Sequence, residues 1–236
     1  MEAIAQSRII QFNIGNDFTP FHVHEASISG LSELLDNEPS QPGEELRRYG
    51  VTWGNVDVRT FATFLEYAYT GNFTIIDQGI KPEPDIETIA LGDAMASKEW
   101  SKSASTKPSI GTLGHDNRNR DTSYSGGYYM AHCRLYLFAC QHSIEELKKL
   151  CVEKVRQSFV ANPGHGELGS SVVDMLSFIW PQTASGDAMR NLIFQYILTD
   201  MGWMMKYAQL NALLKEKLDI CQELFFMVPM AYWEAL

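Results

Sequence analysis

Two short segments constrain the fold of this chain more than any other feature. The first, Pro20–His24, alternates apolar and polar residues and follows a similar stretch that begins at Ile9. Residues 15–17, Gly-Asn-Asp, supply a turn between the two stretches, so the pattern predicts a β-hairpin. Proline cannot donate a ladder hydrogen bond, and Pro20 should therefore lie at the start of its strand or on a sheet edge.

The second segment, Phe61–Gly71, predicts an amphipathic helix. Asp57 precedes it as an N-cap, because its carboxylate can accept from an unpaired amide of the first turn. Gly71 fits the left-handed position just beyond a helix end. Residues 51–53, Val-Thr-Trp, predict a further short strand. We expect the aromatic residues of the helix to pack in a core, with Tyr69 having an exposed edge.

From Tyr128 onward the chain is predicted to be helical to its end. Residues 143–146, Ser-Ile-Glu-Glu, match a capping box at the start of one helix, and residues 128–141 form the helix before it. Pro163 and its neighbouring glycines mark a boundary after that pair. Two more helices follow at 170–180 and 187–200, separated by Pro181, and one or two helices complete the chain.

Composition narrows the class of protein. The 236 residues are 45% hydrophobic, enough for one good core or two modest ones. The formal net charge of -10, without a run of Lys and Arg, disfavours a surface that binds nucleic acid. Acidic residues would instead attract basic protein partners.

Cysteine usage and hydropathy indicate the compartment. The 4 cysteines lie in apolar helical stretches, where a thiol packs as a small hydrophobe, so a reducing environment is expected. Residues 1–7 lack the apolar stretch that a leader peptide contains, and no apolar run in the sequence is long enough to cross a membrane. We therefore predict an intracellular protein, cytoplasmic or nuclear, with no membrane association.

Taken in order, these segments resemble a BTB/POZ domain over much of residues 9–159. In that family an aromatic residue and a Val-His pair end a hairpin, as Phe21, Val23 and His24 do here. A strand, an acidic helix cap and a Phe-containing helix that ends in Tyr-Thr-Gly come next, and residues 69–71 match those three letters. The resemblance implies that the ring of His24 hydrogen-bonds backbone at the junction between hairpin and helix.

The resemblance also implies an α+β fold, with a small β-sheet flanked by helices and followed by an all-α C-terminal extension. We expect the BTB/POZ-like domain at residues 1–160 and the helical extension at 164–236. A flexible insertion is expected to interrupt the domain at about 78–127, where Ser, Thr, Gly and Asn prevail. This segment has too few apolar groups to offset the conformational entropy that ordering it would cost. Family members have a shorter connection there, but the cost of closing a loop grows slowly with length.

A BTB/POZ domain binds other proteins, so the resemblance implies an interaction module that forms a homodimer or binds a partner. A narrower version makes the chain a substrate adaptor of a cullin ubiquitin ligase. Thr63 and Tyr69 correspond to family positions that face the cullin. Leu34 and Leu35 match in kind the two large apolar residues that the family carries in the helices after the hairpin. One departure is that Pro39 closely follows this pair, where ligase-recruiting members carry a longer segment with an acidic motif.

The alternative to an interaction module is an enzyme that depends on a metal ion or on a reactive thiol. His132, Cys133, Cys140 and His142 lie close in sequence, and imidazole with thiolate is a ligand set that zinc accepts. Their spacing includes no Cys-x-x-Cys, and His142 falls on another helical face, so packing explains the cysteines better. We therefore predict a protein that is not an enzyme, with no catalytic residue, cofactor or metal.

Overall fold

The computed structural model describes residues 2–33, 35, 50–75, 126–161, 166–199 and 201–228. These residues form a three-stranded sheet and a larger set of helices, so the predicted α+β class is confirmed. In chain order the elements are α1 (Glu2–Ala5), β1 (Ile9–Ile14), β2 (Thr19–His24), α2 (Glu25–Ile28), β3 (Val51–Trp53), α3 (Val58–Thr70), α4 (Gly126–Gln141), α5 (Glu145–Ala161), α6 (Gly166–Ile179), a 3-10 turn (Trp180–Gln182), α7 (Ala188–Thr199), α8 (Met201–Met204), α9 (Ala208–Glu216) and α10 (Leu218–Met227).

The chain forms two compact units, and the division between them falls inside α4 and inside α5. The first unit comprises residues 1–75 and 131–151, and the second comprises residues 76–130 and 152–236. The predicted domain boundary near residue 164 falls within the range of the second unit. The division into a domain at 1–160 and a helical extension at 164–236 therefore remains a prediction. The predicted insertion at about 78–127 lies outside the described residues, except for its last two, which begin α4.

The sheet belongs to the first unit and has the strand order β2-β1-β3. β1 pairs antiparallel with β2, with Phe12 opposite Phe21, and parallel with β3, with Phe12 opposite Val51. The predicted hairpin and the predicted third strand are therefore confirmed. Pro20 is the second residue of β2, which lies at one edge of the sheet, as its missing N–H group requires.

One face of the sheet and α3 together form the core of the first unit. The ring of Phe61, from α3, lies 5.3 Å from the ring of Phe12 and 5.1 Å from that of Phe21, measured between centroids. Aromatic contacts of this kind add about 1 kcal/mol each to the free energy gained by burial. The buried apolar residues of this layer include Ile10, Phe12, Ile14, Val23, Val51, Phe61 and Phe64.

The turn between α4 and α5 differs from its prediction. Ser143 has a φ of +55°, and its N–H donates to the carbonyl of Cys140 at 3.2 Å. The N–H of Ile144 donates to the carbonyl of Ala139 at 2.9 Å. These two bonds form a Schellman cap, in which Ser143 occupies the left-handed position after α4. An N-cap has extended backbone instead, so the predicted capping box is wrong.

The described part of the second unit consists of helices. α6 packs against α7 and α9, and α7 packs against α10. Pro181 lies in the 3-10 turn and separates α6 from α7, as predicted, because proline has no N–H to continue a helix. The one or two helices predicted for the last part of the chain are observed as α9 and α10. Buried apolar residues of these helices include Val172, Met175, Leu176, Ile179, Met189, Ile193, Ile197, Leu210 and Ile220.

None of the four cysteines, all of which lie in the described part of the chain, forms a disulfide bond. Cys133 and Cys151 are buried, which confirms the prediction that they pack as small hydrophobes. Cys140 and Cys221 are half-buried. The thiol of Cys221 donates to the carbonyl of Leu214 at 3.2 Å, so this cysteine joins α9 to α10.

Candidate functional site

The helix α3 holds two of the predicted contact residues and is fixed at both ends. At its start, Oδ2 of Asp57 accepts hydrogen bonds from the N–H of Thr60 at 3.0 Å and from its hydroxyl at 3.1 Å. At its end, Gly71 has a φ of +75° and donates to the carbonyl of Tyr67 at 2.7 Å. Both predicted caps are confirmed. An N-cap of this kind contributes about 1 kcal/mol, and glycine adopts the left-handed conformation without a Cβ penalty.

One stripe of α3 is exposed to solvent, and we name it the α3 stripe. It consists of Arg59, Ala62, Thr63, Glu66 and Tyr69, of which Thr63 is half-buried. With 3.6 residues per turn, Thr63 and Tyr69 lie about 120° apart around the helix axis, at the two edges of the stripe. The stripe therefore presents one large aromatic side chain beside a cation, an anion and a hydroxyl.

Tyr69 is exposed as predicted, and its hydroxyl is also held in place. The side chain is 40% exposed. Its hydroxyl accepts a hydrogen bond from the backbone N–H of His24 at 3.0 Å and lies 2.9 Å from Nδ1 of the same residue. The resemblance predicted that the ring of His24 hydrogen-bonds the backbone. The structure corrects this prediction, because the group beside the ring is the side-chain hydroxyl of Tyr69.

The other two predicted contact residues have different outcomes. Leu35 is only 2% exposed, and its N–H donates to Oγ of Ser32 at 3.1 Å. Leu35 is therefore a core residue, and this burial argues against its predicted role as a protein-interaction residue. Leu34 lies outside the described residues.

Two of the residues of the rival enzyme hypothesis, His132 and Cys133, lie in the interior of the first unit. His132 and Cys133 are fully buried, and the ring of Phe73 lies 5.6 Å from that of His132. Burial raises the pKa of the Cys133 thiol to about 12, against a smaller opposite effect of Arg134. A nucleophile or a zinc ligand needs the thiolate, which this environment disfavours. Among the described residues, no group of three or more His, Cys, Asp and Glu could hold a metal ion.

A histidine packed against two aromatic rings that also contact each other is a feature that the sequence pattern does not predict. The ring of His142 lies 4.4 Å from the ring of Trp53 and 4.4 Å from that of Phe138. Burial lowers the pKa of His142 below its usual 6.5. His142 follows the last residue of α4, where a cation would be favoured by the helix dipole, yet burial has the larger effect.

A buried arginine in the second unit was also missed. Arg190 is 5% exposed and lies in α7, where its guanidinium donates to the carbonyls of Trp180 and Thr183. It also pairs with a carboxylate oxygen of Glu223 at 3.3 Å and lies 3.8 Å above the ring of Trp180. A sequence signal did exist: Arg190 is the only charged residue of the apolar helix Ala188–Thr199. A charge on a buried helix face needs partners.

Comparison of this chain with protein-family models and with curated proteins finds no match in either set. Within the part of the chain that the structure describes, no helix has the length and the apolar character needed to cross a bilayer.

Proposed function

We propose that this chain is a protein-interaction module of the BTB/POZ type, which self-associates or binds a partner protein. The order of elements supports the proposal: an antiparallel hairpin, a short helix, a third strand parallel to β1, and a capped helix that ends in Tyr-Thr-Gly. The observation that carries it is the α3 stripe, where Tyr69 combines an exposed ring with an anchored hydroxyl.

The α3 stripe has the chemistry of a small interface. Aromatic side chains are enriched among the residues that supply most binding energy, and a polar rim around them excludes water. Tyr69 is such an anchor, and Arg59 and Glu66 are exposed on the same stripe. Because His24 fixes the hydroxyl of Tyr69, less side-chain freedom is lost on binding. An ordinary specific interface buries about 800 Å² on each partner, so residues beyond this stripe contribute to it.

The narrower form of the proposal is that the chain acts in the cytoplasm or nucleus as a substrate adaptor of a cullin ubiquitin ligase. Its support is that Thr63 and Tyr69 match family positions that face the cullin and lie at the two edges of one exposed stripe. A partner that covers the stripe would contact both residues.

A pull-down with the N-terminal region of a cullin tests this form. The wild-type chain should be enriched, and Tyr69→Ala and Thr63→Arg should each reduce enrichment. Phe18→Asn is the matched control, because Phe18 is 59% exposed in the same unit but lies in the hairpin loop. Asparagine also tolerates the φ of +50° at that position. No enrichment of the wild-type chain, or equal losses in all three variants, contradicts the cullin role.

Self-association is tested separately by size-exclusion chromatography with light scattering. The full chain at micromolar concentration should have the mass of a dimer or a larger species. A strictly monomeric chain contradicts the self-association part of the proposal and leaves the pull-down as the test of partner binding.

A further inference from the structure

A surface cleft of about 730 Å³ lies entirely within the second unit. One wall is formed by the 3-10 turn, the loop that follows it and the start of α7, with Trp180, Pro181 and Gly186. The other wall is one face of α10, which contributes Asp219, Glu223 and Phe226 among others. We name it the α10 cleft.

The ionic contacts around Arg190 hold the two walls of the α10 cleft together. Glu223, on α10, bonds the guanidinium of Arg190 at 3.3 Å and accepts from the N–H of Gly186 at 3.4 Å. Arg190 in turn binds the carbonyl of Trp180. Because these groups already bond one another, Arg190 serves to fix the walls and is not presented to a ligand.

The charge of the α10 cleft is negative. Its lining includes two carboxylates, Asp219 and Glu223, and one guanidinium, that of Arg190. Glu223 pairs with Arg190, whereas Oδ2 of Asp219 accepts at 2.9 Å from the indole N–H of Trp180, a neutral donor. One negative charge of the lining is therefore not balanced within the cleft, and it lies at Asp219.

An apolar surface lies beside this charge. Phe226 lines the cleft three positions after Glu223 and is 74% exposed, and Pro181 and Met227 line it as well. An exposed aromatic ring next to an unbalanced carboxylate suits a ligand that carries an apolar group and a cation close together. An acidic ligand would meet repulsion at Asp219.

We propose that the α10 cleft binds a peptide segment of a partner protein in which an apolar side chain lies next to a lysine or an arginine. The apolar side chain packs on Phe226 and Pro181, and the cation pairs with Asp219. All residues of the cleft belong to the second unit, so this interaction does not depend on the proposed function of the α3 stripe.

The test is fluorescence anisotropy of a short labelled peptide built of leucine and lysine, titrated with the full chain. Two comparison peptides replace every lysine by glutamate or every leucine by serine. The leucine-lysine peptide should bind, with an affinity that falls as salt is added, and both comparison peptides should bind far more weakly. Equal binding of the glutamate peptide overturns the proposal.

Two pairs of variants localise the binding. Asp219→Asn removes the charge but keeps an acceptor for Trp180, and Glu216→Gln removes a charge from an exposed residue just before α10 that does not line the cleft. Phe226→Ser and Leu218→Ser each remove a side chain that is 74% exposed on α10, but only Phe226 lines the cleft.

Asp219→Asn and Phe226→Ser should each weaken binding about fivefold, which corresponds to about 1 kcal/mol. Glu216→Gln and Leu218→Ser should leave the affinity within error of the wild-type value. Equal losses in Asp219→Asn and Glu216→Gln would show a general attraction of cations to an acidic chain. Equal losses in Phe226→Ser and Leu218→Ser would show apolar binding that is not confined to the cleft. Either result would overturn the proposal. Circular dichroism and thermal melting check that each variant is folded.

Discussion

The hydroxyl of Tyr69 accepts a hydrogen bond from the backbone N–H of His24 at 3.0 Å and lies 2.9 Å from Nδ1 of the same residue. The two residues are 45 positions apart in the chain. His24 ends β2 and precedes the short helix α2, which it begins without a side-chain cap. The end of α3 is thus tied to the junction between hairpin and helix through one tyrosine hydroxyl.

Tyr69→Phe should lower the free energy of unfolding by about 1 kcal/mol or somewhat less, because water can replace part of the lost contact at an exposed site. Urea unfolding of the full chain measures the loss. In a His24→Ala background the same substitution should cost less, since the contact with Nδ1 is already absent. A cost that is the same in both backgrounds would contradict an energetic role for the ring of His24.

Much of the first unit follows from local patterns in the sequence. The alternation in residues 9–14, the glycine turn and the capped helix from Asp57 to Gly71 each specify their element by short-range chemistry. What such patterns do not give is the partner of a side chain across the fold. Nothing local to His24 indicates that its ring meets a hydroxyl instead of backbone.

Other features were missed because two local interpretations compete. Ser143 and Glu146 have the spacing of a capping box, but the same serine can occupy the left-handed position just beyond the end of the preceding helix. The structure has the second arrangement, since the buried side chain of Ile144 accompanies the Schellman bonds. The α10 cleft was missed because one wall comes from residues 180–191 and the other from α10, and their approach is a tertiary property.

Ser143→Gly should raise the free energy of unfolding by about 0.5–1 kcal/mol. Serine at a φ of +55° has a Cβ penalty that glycine lacks, and the greater freedom of glycine in the unfolded chain offsets only part of the gain. Ser143→Ala keeps the Cβ and is the control, which should bring no such gain. Urea unfolding checks both, and a Ser143→Gly variant less stable than the wild type would contradict the Schellman assignment.

His142 should make the stability of the first unit depend on pH. Its pKa in the folded chain lies below 6.5, so the unfolded chain binds the proton first as pH falls. The stabilisation from the neutral ring is complete above about pH 6.5 and is lost as pH falls through that value towards the folded pKa.

His142→Gln should therefore flatten the decline in stability between about pH 7.5 and about pH 5.5. The urea midpoint measured across this range gives the slope, which is more informative than the absolute value because glutamine also loses the contacts with Trp53 and Phe138. His22→Gln, which removes an exposed imidazole of the same unit, is measured alongside as the matched substitution. An unchanged slope in His142→Gln would rule out this residue as the source.

Arg190→Met should destabilise the chain by about 3 kcal/mol or more, because it leaves the carboxylate of Glu223 and two backbone carbonyls without their charged donor in a mostly buried place. Arg190→Lys should cost less, but it cannot repeat all the contacts of a planar guanidinium, including its stacking on Trp180. Glu223→Gln should cost least, since the amide oxygen still accepts from Arg190. Urea unfolding followed by tryptophan fluorescence ranks the three variants. An Arg190→Met chain within about 1 kcal/mol of the wild type would contradict the structural role of this arginine, and it would also remove the reason to treat the walls of the α10 cleft as fixed.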